Sequence, residues 1–203
     1  GDYAHLTSSN NGGNLWMVYP GFVQLDTAPA TGDWPALRDW NFASANFQDW
    51  LFLPPIEANP LNPNQALLAG GGIGANRNRV LTLTYNGSTI THSEGSFNFG
   101  SKVTDVQYSR DGLTRYVGND GGQFYRDSGA GFIPGSSGLP DGQFFYGNCI
   151  LVHATTPGTI SSMAPSTAVR GASLIAPSPP PRRPARARPG PSRGSRTVED
   201  QDH

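Results

Sequence analysis

The chain has 203 residues and a formal net charge of −1, with 26 Gly, 18 Pro, one Cys and only 14% charged residues, against roughly 25% in an ordinary soluble domain. This composition excludes a coiled coil, a helical bundle and a highly charged disordered chain, and a lone Cys149 excludes an intramolecular disulfide and a multi-cysteine zinc site. No window approaches the ~18 consecutive apolar residues of a membrane-spanning helix, and the opening Gly-Asp-Tyr-Ala-His carries no signal-peptide pattern.

In chain order, an aromatic-rich stretch comes first, with Trp34, Trp40, Phe42, Phe47, Trp50 and Phe52. Residues 56–70 read as a strand end, an Asn/Pro turn and a small apolar strand closing on Gly. Gly70-Gly-Gly-Ile-Gly-Ala-Asn76 is a glycine loop without the Lys and following helix that phosphate binding requires. Residues 79–92 are two β-rich runs joined at Asn86-Gly87, a dipeptide that favours hairpins because it tolerates positive φ. Further strands are predicted at 103–108, 114–118 and 123–125, separated by turns at Arg110-Asp-Gly112 and Asn119-Asp-Gly-Gly122. Residues 149–160 repeat the plan of 56–70 and break off in the second strand. No stretch shows a helical apolar stripe.

The net charge averages two unlike segments. All the aromatic residues lie in 1–160, which carry twelve acids against seven bases; 161–203 carry three acids against seven Arg, with eight Pro. Proline removes backbone donors, and the tail has no apolar mass to offset chain entropy. The expectation is a disordered basic tail, 161–203, following a folded segment, 1–160. The alternative is that the switch into Pro, Arg, Ala, Ser and Gly is an out-of-frame reading of GC-rich DNA; an intact frame on resequencing contradicts it. The tail arginines lack interleaved aromatics for base stacking, so nucleic acid is not the expected partner.

Aligning the second strands at Ala66, Thr114 and Thr159 gives spacings of 48 and 45 residues. Several short strands in a period of 40–50 residues mark propeller blades, each burying its faces against its neighbours. The predicted fold is all-β: a partial β-propeller of about three four-stranded blades.

Two strings carry a family resemblance. Tyr125-Arg-Asp127-Ser-Gly129-Ala-Gly-Phe132 resembles the Asp-box pattern Ser/Thr-x-Asp-x-Gly-x-x-Trp/Phe, with Tyr125 at the Ser/Thr position. Ser9-Asn-Asn11-Gly-Gly13-Asn-Leu-Trp16 fits the same pattern with Asn11 for Asp. The turn Asn59-Pro-Leu-Asn-Pro-Asn64 and the link Ser137-Gly-Leu-Pro-Asp141 also resemble features of such blades. On these motifs 1–160 resembles the BNR/Asp-box β-propellers, a superfamily of sialidases, sortilin-type receptors, xyloglucanase-type glycosidases and secreted bacterial proteins. The resemblance implies structural roles for Ser9, Asn11, Gly13, Trp16, Asp127, Gly129 and Phe132. It also implies an extracellular or cell-surface setting. Closed propellers need roughly four to eight blades, so the expectation for 1–160 is either the remaining propeller blades of a longer chain or assembly with another chain.

The chemistry of catalysis is less visible. A glycosidase needs two carboxylates about 5–9.5 Å apart facing one substrate. Most acids here sit in turn contexts; Asp105, inside Val-Thr-Asp-Val, is the catalytic candidate because an inner-strand residue can face a central channel. The sialidase Phe-Arg-Ile-Pro motif has only Gly131-Phe-Ile-Pro134 as its counterpart, without the Arg. The histidines show no metal spacing, and no cofactor or metal is expected. Packing between blades is the favoured role for the aromatic-rich stretch, with stacking on sugar rings by Trp34, Trp40 and Trp50 as the alternative. The expected function is a non-catalytic scaffold or binding module for a glycan or protein. The competing expectation is a glycoside hydrolase fragment whose catalytic residues lie largely elsewhere.

Overall fold

The computed structural model describes residues 4–31, 37–135, 145, 150–152 and 160–162. Trp34, the Ser137–Asp141 link, Cys149, Thr159 and 163–203 lie outside them. Apart from one 3-10 turn at Pro29–Thr31, the described residues form strands, turns and loops.

The chain is a partial β-propeller. Strands β1 (His5–Ser8), β2 (Leu15–Tyr19), β3 (Phe22–Asp26) and β4 (Leu37–Asn41) form an antiparallel meander, the first blade. The second is built from β6 (Ile56–Ala58), β7 (Gln65–Leu68), β9 (Leu81–Tyr85) and β10 (Ile90–Glu94) in that spatial order. The third follows as β11 (Val103–Tyr108), β12 (Arg115–Asn119), β13 (Phe124–Asp127) and β14 (Ile133–Pro134). A further antiparallel pair, β15 (Ile150–Val152) and β16 (Ile160–Ser162), comes next. Two short strands, β5 (Phe47–Gln48) and β8 (Gly72–Ile73), pair with each other and tie the link between the first two blades to the glycine loop. The innermost strands lie side by side, β1 against β6, β6 against β11 and β11 against β15.

Packing between blades explains the sequence pattern. Ala66 and Leu68 of β7 join Trp16, Val18, Val23 and Leu25 of the first blade in one core. The alternate residues Leu67 and Ala69 join Val103, Val106, Val117 and Tyr125 in a second. Because both faces of the middle sheet are covered, β7 reads as a continuous apolar run rather than an alternation. A smaller cluster of Tyr116, Phe145 and Ile150 covers the other face of the third blade.

The hairpin at Asn86-Gly87 forms with a different turn from the two-residue one its dipeptide suggests. Ile90 pairs with Tyr85, leaving four loop residues, and only Gly87 has positive φ, at 93°. The Asn86 carboxamide oxygen instead accepts from the amides of Ser88 and Thr89, at 3.0 and 2.9 Å, a side-chain-closed turn.

Candidate functional site

The two Asp-box-like strings occupy different places in their blades. Asp127–Phe132 bridges β13 and β14, the last hairpin, whereas Ser9–Trp16 bridges β1 and β2, the first. Asp127 is 1% exposed; its Oδ1 accepts from the Gly129 and Gly131 amides at 2.7 and 2.9 Å, and its Oδ2 pairs with Arg115. Burial pushes its carboxyl up, but the Arg115 bond and the two glycine amides outweigh that and hold it below the ordinary 3.8. Phe132 folds back onto Phe99, ring centroids 4.9 Å apart, beneath the Arg115 guanidinium. Asp127→Ala is expected to cost about 3 kcal/mol, since it orphans amides and a cation together, as measured by urea unfolding at pH 7. That contribution is present above pH 3.8 and is lost as pH falls through the depressed folded value.

The structural counterpart of Ser9–Trp16 is Ser109–Tyr116, in the first hairpin of the third blade. Ser9 Oγ donates to Asn11 Oδ1 at 2.6 Å, and the Gly13 amide donates to the same oxygen at 3.0 Å. In parallel, Ser109 Oγ and the Leu113 amide both donate to Asp111 Oδ1, at 2.5 and 3.1 Å. Trp16 is fully buried and donates its Nε1 to the Pro63 carbonyl at 2.9 Å, linking first and second blades.

These first hairpins place equivalent residues of successive inner strands together. Thr7, Glu57 and Gln107 stand 50 residues apart in turn, and the Glu57 carboxylate joins all three. Thr7 Oγ1 donates to Glu57 Oε2 at 3.1 Å and Gln107 Nε2 donates to Oε1 at 2.7 Å. Thr7 Oγ1 also accepts from the Ala58 amide at 3.1 Å, which fixes its hydroxyl toward Glu57. The three strands form the wall of an open cleft of about 300 Å³, whose lip carries Asn10, Pro60 and Arg110. Asn10 spans that lip, donating its backbone amide to Pro60 O and its Nδ2 to Arg110 O, at 3.0 and 3.1 Å.

Glu57 is the chemically distinctive group in this cleft. Burial pushes its carboxyl up to about 7, against the pull of the Thr7 bond, and the negative charge of Asp105 adds to the rise. Among the described residues, no Lys, Arg or His nitrogen lies within 4.0 Å of its oxygens. The Tyr108 phenol, raised mainly by its own burial, stays neutral beside it. Glu57 thus lies in a strand, half-buried, rather than in the turn context its neighbours Asn59 and Pro60 suggest.

Asp105 is placed differently from its sequence expectation. It has no exposed surface, and its Oδ2 accepts from the Ile150 amide at 2.7 Å. A register irregularity between Val103 and Asp105 leaves four consecutive residues of β11 buried, as a bulge does when it re-aims side chains. Asp105 therefore joins β11 to β15, and its charge acts on Glu57 in the cleft. Asp105→Asn keeps an acceptor for Ile150 and removes that charge, so the Glu57 midpoint should fall below about 7, as read by carboxyl carbon NMR.

Of the aromatic candidates, Trp40 is 6% exposed, packing edge-on against Phe42 and His92 and at a tilt against Phe47. Its faces belong to the interior, so it offers no stacking platform. Trp50 is 40% exposed and rests edge-on against Phe42. Among the described residues, no group of three or more His, Cys, Asp or Glu could hold a metal ion.

No protein-family model matches the chain, and no curated protein matches it. Among solved structures it is similar to the β-propeller domain of Cps50 (Swd1) from Myceliophteria thermophila, at 14% identity and a TM-score of 0.49, over 73% of this chain and 45% of that one. It is also similar to a chain of the yeast heterotrimeric Nup82-Nup159-Nup116 nucleoporin complex, at 12% identity and a TM-score of 0.38, over 70% of this chain and 36% of that one. The chain spans less than half the length of either.

Proposed function

We propose that the chain is a non-catalytic propeller module that binds a protein segment at the inner-strand cleft. The observation that carries this reading is the cleft itself, open at its lip and lined by Glu57 and Gln107 from adjacent blades. Exposed leucines flank the same end of the hairpins: Leu61 is 65% and Leu113 71% exposed. A polar cleft beside apolar surface is the make-up of a recognition site. Hydrolysis is less well supported, because the second carboxylate, Asp105, has no exposed surface with which to meet a substrate.

Glycan binding is the second reading, favoured by exposed Trp50 and Phe52, at 40% and 63%. Kinship with the Asp-box propellers rests on the Asp127 turn alone, since Ser9–Trp16 lies in a different hairpin. An extracellular or cell-surface setting rests in turn on that kinship.

The test is a peptide-display selection against the intact chain, run beside a glycan array. The expected result is enriched peptides whose affinity falls about tenfold in Asn10→Trp, which fills the cleft lip. Glycan binding without peptide enrichment, or peptides indifferent to that substitution, contradicts the proposal.

A further inference from the structure

The chemistry of the cleft narrows what it receives. A carboxylate drawn out of water is costly unless a cation or several donors compensate it. Glu57 has two neutral donors, Thr7 and Gln107, and no cation within 4.0 Å among the described residues. Arg110, the cation among the residues lining the cleft, gives its backbone carbonyl to Asn10 and makes no ion pair with Glu57. Behind the wall, Asp105 adds a second negative charge that no ligand can reach, having no exposed surface. The wall of the cleft thus carries one reachable carboxylate, with a second negative charge buried behind it.

The rim supplies the rest of the specificity. Leu61 and the turn that carries Leu113 are adjacent, since the Leu61 Cγ would lie 3.3 Å from a Cβ placed on Gly112. Two exposed leucines on neighbouring hairpins thus stand beside the lip, at 65% and 71% exposure. Apolar area at a rim adds affinity without selecting charge, whereas a buried charge selects its complement.

We propose that the cleft takes one basic side chain, a lysine or arginine, of a bound protein segment, with Glu57 as its counter-ion and with apolar neighbours of that residue resting on Leu61 and Leu113. This rests on the reading of the cleft as a protein-docking site. The incoming ammonium or guanidinium supplies the missing cation, and Gln107 and Thr7 hold the carboxylate to meet it. A volume of about 300 Å³ is at the small end for ligand sites, fitting one long side chain rather than a large cofactor.

The test uses the intact chain and two probes, acetyl-Leu-Lys-Leu-amide and its norleucine analogue, titrated by calorimetry at pH 8. The lysine peptide is expected to bind about tenfold more tightly than the analogue. Glu57→Gln should erase that preference by weakening the lysine peptide alone, while Leu113→Ser should weaken both peptides by a similar factor. Circular dichroism verifies the fold of each variant, and Gln107→Leu, which frees the carboxylate from one donor, should also reduce the lysine preference. Equal binding of the two probes, or a lysine preference that survives Glu57→Gln, overturns the cation assignment and leaves protein docking standing. Failure of both probes at millimolar concentration, together with no enrichment in the display selection, overturns both.

Discussion

Gly72→Ala should lower the unfolding free energy by on the order of 3 kcal/mol or more, a loss at the upper end for overpacking. A Cβ at this position would lie 1.9 Å from the Asn76 carbonyl oxygen and 2.6 Å from the Arg77 Cα. Both are backbone atoms, so no side-chain rotation relieves the contact. The turn they belong to is closed by the Asn76 amide on Ile73 O and the Gly74 amide on Asn46 O, each at 3.0 Å. Gly72 itself pairs with Gln48 in the β5–β8 ladder. Moving the turn away would therefore break the tie between the first two blades and open the core around Phe47, which is 1% exposed. Gly87→Ala is the control: nothing lies within 4 Å of its Cβ position, and only its φ of 93° is strained, a cost of roughly 1 kcal/mol. Urea unfolding of the two variants measures the difference. A Gly72→Ala midpoint equal to that of Gly87→Ala would contradict the packing described here.

The second large effect is a pH dependence centred on Glu57. Its folded-state carboxyl titrates at about 7 against an ordinary 4.5. Below 4.5 the group is protonated whether or not the chain is folded, and the folded state carries no ionisation penalty there. As pH rises from 4.5 to about 7 the unfolded chain ionises first, so stability is lost over that window. At about 1.4 kcal/mol per unit of difference, the loss is on the order of 3 kcal/mol. Glu57→Gln should remove this slope, making the variant the more stable protein at pH 8 and leaving little difference at pH 4. The comparison between wild type and variant isolates Glu57 from Asp127, whose depressed carboxyl acts in the opposite direction at lower pH. Urea midpoints across pH 4–8 that run parallel for the two proteins would show that Glu57 is not desolvated as described.

Local signals in the sequence located the strands, because alternation, Asx-closed turns and glycine bends act over a few residues. The turn at Asn119–Gly122, the Asn/Pro turn after Ala58 and the Asp127 bend are visible in this way. The blade period was visible too, although the first hairpins show it best at 50 residues, through Ser9, Asn59 and Ser109. The second hairpin departs by one residue, Ala58 facing Ala66 where Ser8 faces Leu15. What local pattern could not supply was the meeting of Thr7, Glu57 and Gln107, three unlike residues brought together only when inner strands of separate blades lie side by side. Comparison of equivalent positions at that spacing was the available signal. Asp105 misled because alternation along β11 would aim it at the channel, whereas the register irregularity places it on the β15 backbone. Trp40 packs inward between exposed Asp39 and Asn41, the ordinary alternation of a strand, in keeping with the packing role favoured for these aromatics.

Docking of protein segments where the inner strands converge is the proposal on which the others rest. Amide shift mapping of the intact, isotope-labelled chain with a display-selected peptide tests it most directly. Perturbations are expected to gather at 7–10, 57–61 and 107–113, with Glu57 and Gln107 among the largest. Perturbations centred on β13 and β14, or around Trp50, with the inner-strand residues unmoved, would contradict it.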